Sequence, residues 1–323
     1  EDLLLELQLL TAHLVDPGYR PEALRQARAG IEQLYASIAH TPEGPLATDV
    51  PHWLASDDPR FGLPPKDEML RRNLAEVRAW LAPQLQHGTI EIGIVGDLDV
   101  NATIAAVART LGALPAREPP PPLADARRVQ FPAGTRTRAY TISSEIPKGL
   151  VALFWPTTDA DDVARTRRLN VLADILGDRL RVTVREKLGA SYSPDVGNSA
   201  SEAYPGYGLL SASTLADPTK VAGLSDAMLA QATDLQAHGV TADELARAKQ
   251  PLLTALRESA RTNAYWLSAV LTRAQSKPAV LDWARSREAD VAAISKPEID
   301  ALAQQYLAPA RVFRVTVTPA PKS

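Results

Sequence analysis

Apolar residues follow two rhythms along this chain, and the places where one gives way to the other lay out its elements. Leu3, Leu7, Leu10 and Leu14 recur at helical spacing and predict a first helix. Asp16-Pro17-Gly18 turns the chain, and Pro21 opens a second helix with Leu24, Ala27, Ile31, Leu34 and Ile38 on one face. Between residues 41 and 65 stand Pro42, Gly44, Pro45, Pro51, Pro59, Gly62, Pro64 and Pro65, and so many breakers predict a loop. Leu70, Leu74, Val77, Leu81 and Leu85 mark a third helix that Gly88 can close. From Thr89 to Val95 the period drops to two, with Ile90, Ile92 and Ile94 on one side, which predicts a half-buried strand. Gly96-Asp97-Leu98-Asp99 then turns into a helix bearing Ile104, Val107 and Leu111, with Asp99 as its N-cap.

Pro115 and the run Pro119 to Pro122 predict a stiff connector, and a new set of elements follows it. Strands are expected over Arg136 to Ile142 and Leu150 to Trp155, helices over residues 160 to 188, and strands near Ser191 to Asn198 and Gly206 to Leu215. Asp217-Pro218 starts a helix with Val221, Leu224, Met228 and Leu235 facing inward and Gly239 stopping it. Thr241 with Glu244 and Ser295 with Glu298 have capping-box spacing, and Pro251 predicts a kink in the helix between them. A last strand places Phe313, Val315 and Val317 on one side.

A repeat emerges from this layout. Trp80-Leu81-Ala82-Pro83 before a strand recurs as Tyr306-Leu307-Ala308-Pro309 before a strand, a shift of 226 residues (80 to 306). Glu22-Ala23-Leu24 and Asp243-Glu244-Leu245 agree at a shift of 221 (22 to 243), and the opening leucine helix matches residues 221 to 235 at nearly the same shift. The fold class expected is α+β: two copies of an α/β module, each a mostly antiparallel sheet packed with helices, with the first copy incomplete. The expected boundaries are residues 1–118 for the first module, 119–130 for a proline-rich linker and 131–323 for the second. The chain opens on Glu1 inside a helical pattern, which predicts an upstream segment carrying the missing strands.

Composition narrows the function classes. The 323 residues are 45% apolar, enough for two ordinary cores, and the net charge of −3 with dispersed Arg and Lys argues against a nucleic-acid partner. Cys is absent, which excludes disulfides, thiol catalysis and cysteine metal sites. No apolar run reaches the roughly 18 to 20 residues that a spanning helix needs. The five histidines, His13, His40, His52, His87 and His238, never pair at ligand spacing, so solvated or capping roles are expected and no metal. Asp159, Asp161 and Asp162 lack the Gly and distal Glu of a calcium loop and read as a helix N-terminal cluster. Tyr204-Pro205-Gly206-Tyr207 reads as a turn leading into a strand, with packing aromatics; a peptide-lining role is the alternative.

The chemistry concentrates at Val184-Arg185-Glu186-Lys187-Leu188-Gly189-Ala190-Ser191-Tyr192. Leu169, Leu172, Ile175, Leu176 and Leu180 predict a helix that Gly189 can end, with Arg185 in its last turn. A guanidinium and a phenol around one helix-to-strand corner can both donate to one carbonyl or oxyanion, and neither suits zinc ligation. Spacing alone leaves open that Arg185 caps helix carbonyls and that Tyr192 packs in a core.

Arg185-Glu186-Lys187-Leu188-Gly189 with Tyr192 seven positions after the Arg resembles the C-terminal half of the pitrilysin/insulinase family of zinc metallopeptidases. Ile94-Val95-Gly96-Asp97-Leu98-Asp99 is similar to that family's strand-to-helix signature, and the duplicated modules match its architecture. The resemblance implies a LuxS/MPP-like metallopeptidase fold and a clamshell parent whose N-terminal half, on the same chain or a separate subunit, carries the zinc on an inverted His-x-x-Glu-His helix. It also implies a peptide substrate, with Arg185 and Tyr192 contacting the substrate carbonyl, no zinc on this chain, an inactive fragment when alone, and a periplasmic location. A non-catalytic partner subunit or peptide-binding scaffold of the same fold is the alternative.

Overall fold

The period-two segments of the second half assemble into one five-stranded sheet. A computed structural model describes residues 2–119, 123–188 and 193–321, apart from the side chains of Lys187 and Leu188. The strands are β1 (Thr137–Ile142), β2 (Gly149–Pro156), β3 (Asp195–Ala200), β4 (Gly208–Ala216) and β5 (Phe313–Pro319), in spatial order β1-β5-β2-β4-β3. β2 runs antiparallel to both β4 and β5, and β3 antiparallel to β4; β1 and β5 are parallel. The sheet is therefore mostly antiparallel and packed with helices, as the α+β expectation has it. The start of the strand expected near Ser191 lies outside the described residues.

The helices are α1 (Leu3–Val15), α2 (Pro21–Ala39), α3 (Gly44–Ala47), α4 (Asp49–Leu54), α5 (Lys66–Arg71), α6 (Leu74–His87) and α7 (Val100–Arg109) before the sheet. Within and after it come α8 (Val163–Leu188), α9 (Val221–His238), α10 (Ala242–Ser259), the single turn α11 (Asn263–Tyr265), α12 (Ala279–Ala293) and α13 (Lys296–Tyr306). Their ends carry the expected chemistry. The Asp99 carboxylate accepts from the Ala102 amide at 2.7 Å, Thr241 and Glu244 exchange bonds of 3.1 and 2.7 Å, and Ser295 and Glu298 form a capping box. Gly239 ends α9 at φ +73°, and Pro251 sits inside α10. No helix among the described residues is long and apolar enough to cross a membrane.

The chain divides into two compact units. The larger comprises Leu34–Pro64, Ala124–Arg257 and Ser286–Ser323. One face of its sheet presents Val151, Leu153 and Trp155 of β2 with Leu210 and Ala212 of β4 to α8, α9 and α13. Leu169, Leu172, Leu176, Leu180 and Val184 of α8 are completely buried there, each contributing about 1.5–3 kcal/mol. Gly149 permits the close approach of β2, because a Cβ would stand 2.6 Å from a Val221 methyl and 2.7 Å from the Val317 carbonyl. The opposite face presents Leu150, Ala152, Phe313, Val315 and Val317 to Val50, Trp53 and Leu54.

That second contact corrects the expectation of a loop over residues 41 to 65. The segment folds into α3 and α4 and covers the sheet, with Trp53 only 4% exposed and edge-on to Phe313 at 5.2 Å. Helices of four and six residues are too short to show a 3.6-residue period, so their prolines hide them. Arg60 ties the segment down: it bonds the Asp58 carboxylate at 2.9 and 3.1 Å, the Arg128 carbonyl at 3.1 Å and the Ala126 carbonyl.

The smaller unit comprises Glu1–Gln33, Pro65–Leu123 and Glu258–Arg285. α1 packs on α6 and α7, and Leu7, Ala106 and Leu111 form a small core with Ile92 against it. Two expectations fail here. The third helix is two helices, because Asn73 makes a capping box with Glu76 and starts α6 afresh. Thr89 to Val95 is not a strand: none of the described residues forms a ladder with it, and a period-two pattern makes a strand only where a partner supplies the hydrogen bonds.

Burial of Trp53 predicts that Trp53→Ala destabilises the sheet unit by about 3–5 kcal/mol. Urea unfolding followed by far-UV circular dichroism measures it; a solvent-exposed loop tryptophan would show almost no change.

Candidate functional site

α8 delivers the candidate residues. Its apolar stripe fixes the helix rotation against the sheet, so Thr183 and Val184 turn inward while Arg185 and Glu186 turn out to solvent. Tyr192 lies outside the described residues, as do Gly189, Ala190 and Ser191, so the structure places Arg185 and not its proposed companion.

The other arginines of α8 are all in ion pairs. Arg165 meets Asp162 at 3.3 Å, Arg167 meets Asp290 at 3.0 Å, and Arg168 bridges Asp290 at 3.0 Å and Glu298 at 2.8 Å. Arg179 joins Glu244 at 2.7 Å and Asp234 at 2.9 Å, and Arg181 meets Asp178 at 2.8 Å. Arg185 alone among the arginines of this helix has no carboxylate partner among the described residues. A guanidinium with no carboxylate partner among the described residues, at the end of a helix, can bind a carbonyl or carboxylate from another molecule.

The paired arginines shape the local titration. The Arg179 guanidinium and the Thr241 amide hold the Glu244 carboxyl down at about 2. The Ser295 amide and hydroxyl, then Arg168, hold Glu298 at about 2 as well. These groups lock α8 to α10 and α13, a structural role.

No group of three or more His, Asp and Glu side chains that could hold a metal ion occurs among the described residues. His13, His40 and His52 turn ring nitrogens to backbone carbonyls, at 2.7 Å to Leu9, 2.6 Å to Ser143 and 3.2 Å to Asp58, and His238 meets Asp234 at 2.9 Å. The residues present do not fit a zinc site. Asp162 accepts from the Arg165 amide at 2.9 Å, an N-terminal cap of α8.

Sequence reasoning passed over one feature of the sheet unit. A cavity of about 300 Å³ is lined by α4, by Phe61 and by the outward positions of β4, including Ser211 and Ser213. Tyr207, expected as a packing aromatic of the turn before this strand, is 7% exposed, stacks on Phe131 at 4.6 Å and walls this cavity. The legible signal is Ser211 and Ser213 standing between Leu209 and Leu215 on one face of the strand.

A protein-family model described as the peptidase M16 inactive domain matches residues 73–252, more than half of the chain. The chain belongs to this family. Its fold is similar to the M16 inactive domain from Pseudomonas fluorescens at 18% identity, TM-score 0.79, covering 98% of this chain and 74% of that one. It is similar to the ferredoxin protease FusC, solved as a mutant in complex with Arabidopsis ferredoxin, at 15% identity and TM-score 0.75, covering 100% of this chain and 35% of that one. It is also similar to the periplasmic protease PqqL from Escherichia coli, at 16% identity and TM-score 0.64, covering 98% and 33%. The M16 chain thus spans about a third of the length of these two proteases. No curated protein matches it in sequence.

Two outcomes are expected from these contacts. Arg185→Ala changes thermal stability by no more than about 0.5 kcal/mol, whereas Arg179→Ala, which takes the guanidinium from Glu244 and Asp234, costs about 1.5–3 kcal/mol. Because Glu244 and Glu298 hold a proton less tightly folded than unfolded, the stability they supply is complete above the ordinary glutamate value of 4.5 and is lost as pH falls toward about 2. Calorimetry across that window should show the loss, and Glu244→Gln should flatten it.

Proposed function

We propose that this M16 domain is the half of a peptidase that grips the substrate without carrying the metal, and that Arg185 and Tyr192 are its substrate contacts. The observation that carries the reading is Arg185: it is the one α8 arginine without a carboxylate partner among the described residues, and it stands seven positions before Tyr192. In this reading residues 1–118 belong to a first module, 119–130 to a linker and 131–323 to a second module that presents the pair. In this reading the zinc belongs to an N-terminal half. The clamshell of two halves encloses a peptide, and the periplasmic location of the Escherichia coli relative and the ferredoxin bound by FusC are compatible with a periplasmic endopeptidase of peptides or small proteins.

What the chain's own residues do follows from their chemistry. Arg185 has five N–H donors in a planar fork; Tyr192 has one hydroxyl donor. Both donate to the scissile carbonyl, and both bonds strengthen as its oxygen becomes negative, so their contribution is larger in the transition state than in the bound substrate. Removing one such donor costs about 2.7–4 kcal/mol of activation free energy, a rate factor of roughly 10² to 10³.

The test is turnover of a fluorogenic peptide by the peptidase that contains this domain, comparing wild type with Arg185→Lys and Tyr192→Phe. The expected result is a fall in kcat of about two orders of magnitude with metal content and folding intact. Unchanged turnover in both variants removes the assignment. A wild-type protein without peptidase activity moves the domain to a non-catalytic, peptide-binding partner of the same fold.

A further inference from the structure

The outward face of β4 is apolar at its ends and polar in its middle. Leu209 and Leu215 flank Ser211 and Ser213; the cross-strand neighbours are Phe154 and Gly197 for Ser211, and Ala152 and Asp195 for Ser213. Small side chains at these central positions leave a cavity of about 300 Å³ under α4, where Val50 and Leu54 are almost wholly buried. Phe61 and Tyr207, with ring centroids 5.1 Å apart and planes 57° apart, form an aromatic wall. The Ser211 and Ser213 side chains are half-exposed, and their hydroxyls have no hydrogen-bond partner among the described residues.

Size and chemistry narrow the occupant. A dry cavity of about 150 Å³ suffices for benzene, and sites for whole small molecules begin at about 300 Å³, so this one holds a single substituted ring. Tilted aromatic walls favour an aromatic guest in edge-to-face contact. Each serine hydroxyl both donates and accepts, so a ring with its own hydroxyl gains a bond that a plain ring does not. β4 is hydrogen-bonded to β2 on one side and β3 on the other, which leaves no edge for a peptide to join as a strand. A side chain needs no such edge to enter.

We propose that this cavity is a side-chain subsite that receives a tyrosine-like aromatic residue of a bound peptide, with Ser211 and Ser213 reading its hydroxyl. The proposal rests on the peptide-binding reading above and names a preference that the Arg185 contact does not supply.

The test titrates the 323-residue chain with N-acetyl-L-tyrosinamide, N-acetyl-L-phenylalaninamide and N-acetyl-L-alaninamide, followed by saturation-transfer NMR. The tyrosine probe should bind about three- to tenfold more tightly than the phenylalanine probe, and the alanine probe should not bind. Ser213→Leu fills the cavity and should abolish both aromatic signals with circular dichroism unchanged. The double variant Ser211→Ala/Ser213→Ala, which keeps the cavity and removes its hydroxyls, should bring tyrosine down to the level of phenylalanine; this result decides the matter if Ser213→Leu misfolds. Absence of aromatic binding, equal binding of alaninamide, or a tyrosine preference that survives the double variant overturns the proposal. Any of these with an Arg185→Lys loss of turnover in the whole peptidase leaves the peptide-gripping function standing and removes only the subsite.

Discussion

Leu169, Leu172, Leu176, Leu180 and Val184 have no exit to water, and that single stripe decides where everything on α8 points. A helix locked by five inward residues cannot rotate without exposing them, so its outward residues have fixed directions. The ion pairs to Asp290, Glu298, Glu244 and Asp234 add registration along the axis, from α9, α10, α12 and α13. Arg185 inherits its direction from these contacts and makes none of its own to a carboxylate among the described residues. An outward side chain is held in place by the shell behind it, and here that support is a helix of 26 residues laid across a sheet.

The second face of the sheet is used differently. α3 and α4 close over part of it with Trp53 and Leu54, and beyond them the face remains open at Ser211 and Ser213. A face entirely covered would be core, and one entirely open would be an aggregation hazard. The covering segment is held by local bonds, including Arg60 to Asp58, whose carboxyl is held at about 2 chiefly by that hydrogen bond. The sheet thus separates two tasks: one side fixes α8, the other offers an accessible concavity.

Much of this was legible in the sequence, for reasons that differ from element to element. The central strands β2, β4 and β5 were readable because each has an apolar face, as in Phe313, Val315 and Val317, and the long helices because a 3.6-residue period has room to repeat in α8 and α9. The capping boxes at Thr241 and Ser295 were readable because caps are local chemistry. α3 and α4 were not, because six residues cannot display a period and Pro45 and Pro51 mimic loop composition. The segment from Thr89 to Val95 shows the opposite error: its alternation is genuine, but a strand is a property of a pair. Arg185 could be named from the resemblance of its segment to a family's Arg and Tyr seven positions apart, while its lack of a carboxylate partner among the described residues could be seen only once its neighbours were in place. The paired serines were visible as a polar break between Leu209 and Leu215, while the cavity they leave could be seen only once α4 and Phe61 were in place.

The order of strands carries a consequence for how the protein is made. β5 lies between β1 and β2, yet it follows them in the chain by more than 150 residues (156 to 313). During synthesis β1 and β2 emerge with the slot between them empty, and the edge of β2 from Leu150 to Phe154 stays unpaired until residues 313–319 leave the ribosome. Such a sheet is completed only after a long loop has closed, which makes its folding slow and its nascent form a natural client for chaperones. A ribosome that stalls shortly before Phe313 would release a chain with most of its helices and an open seam through the middle of its sheet.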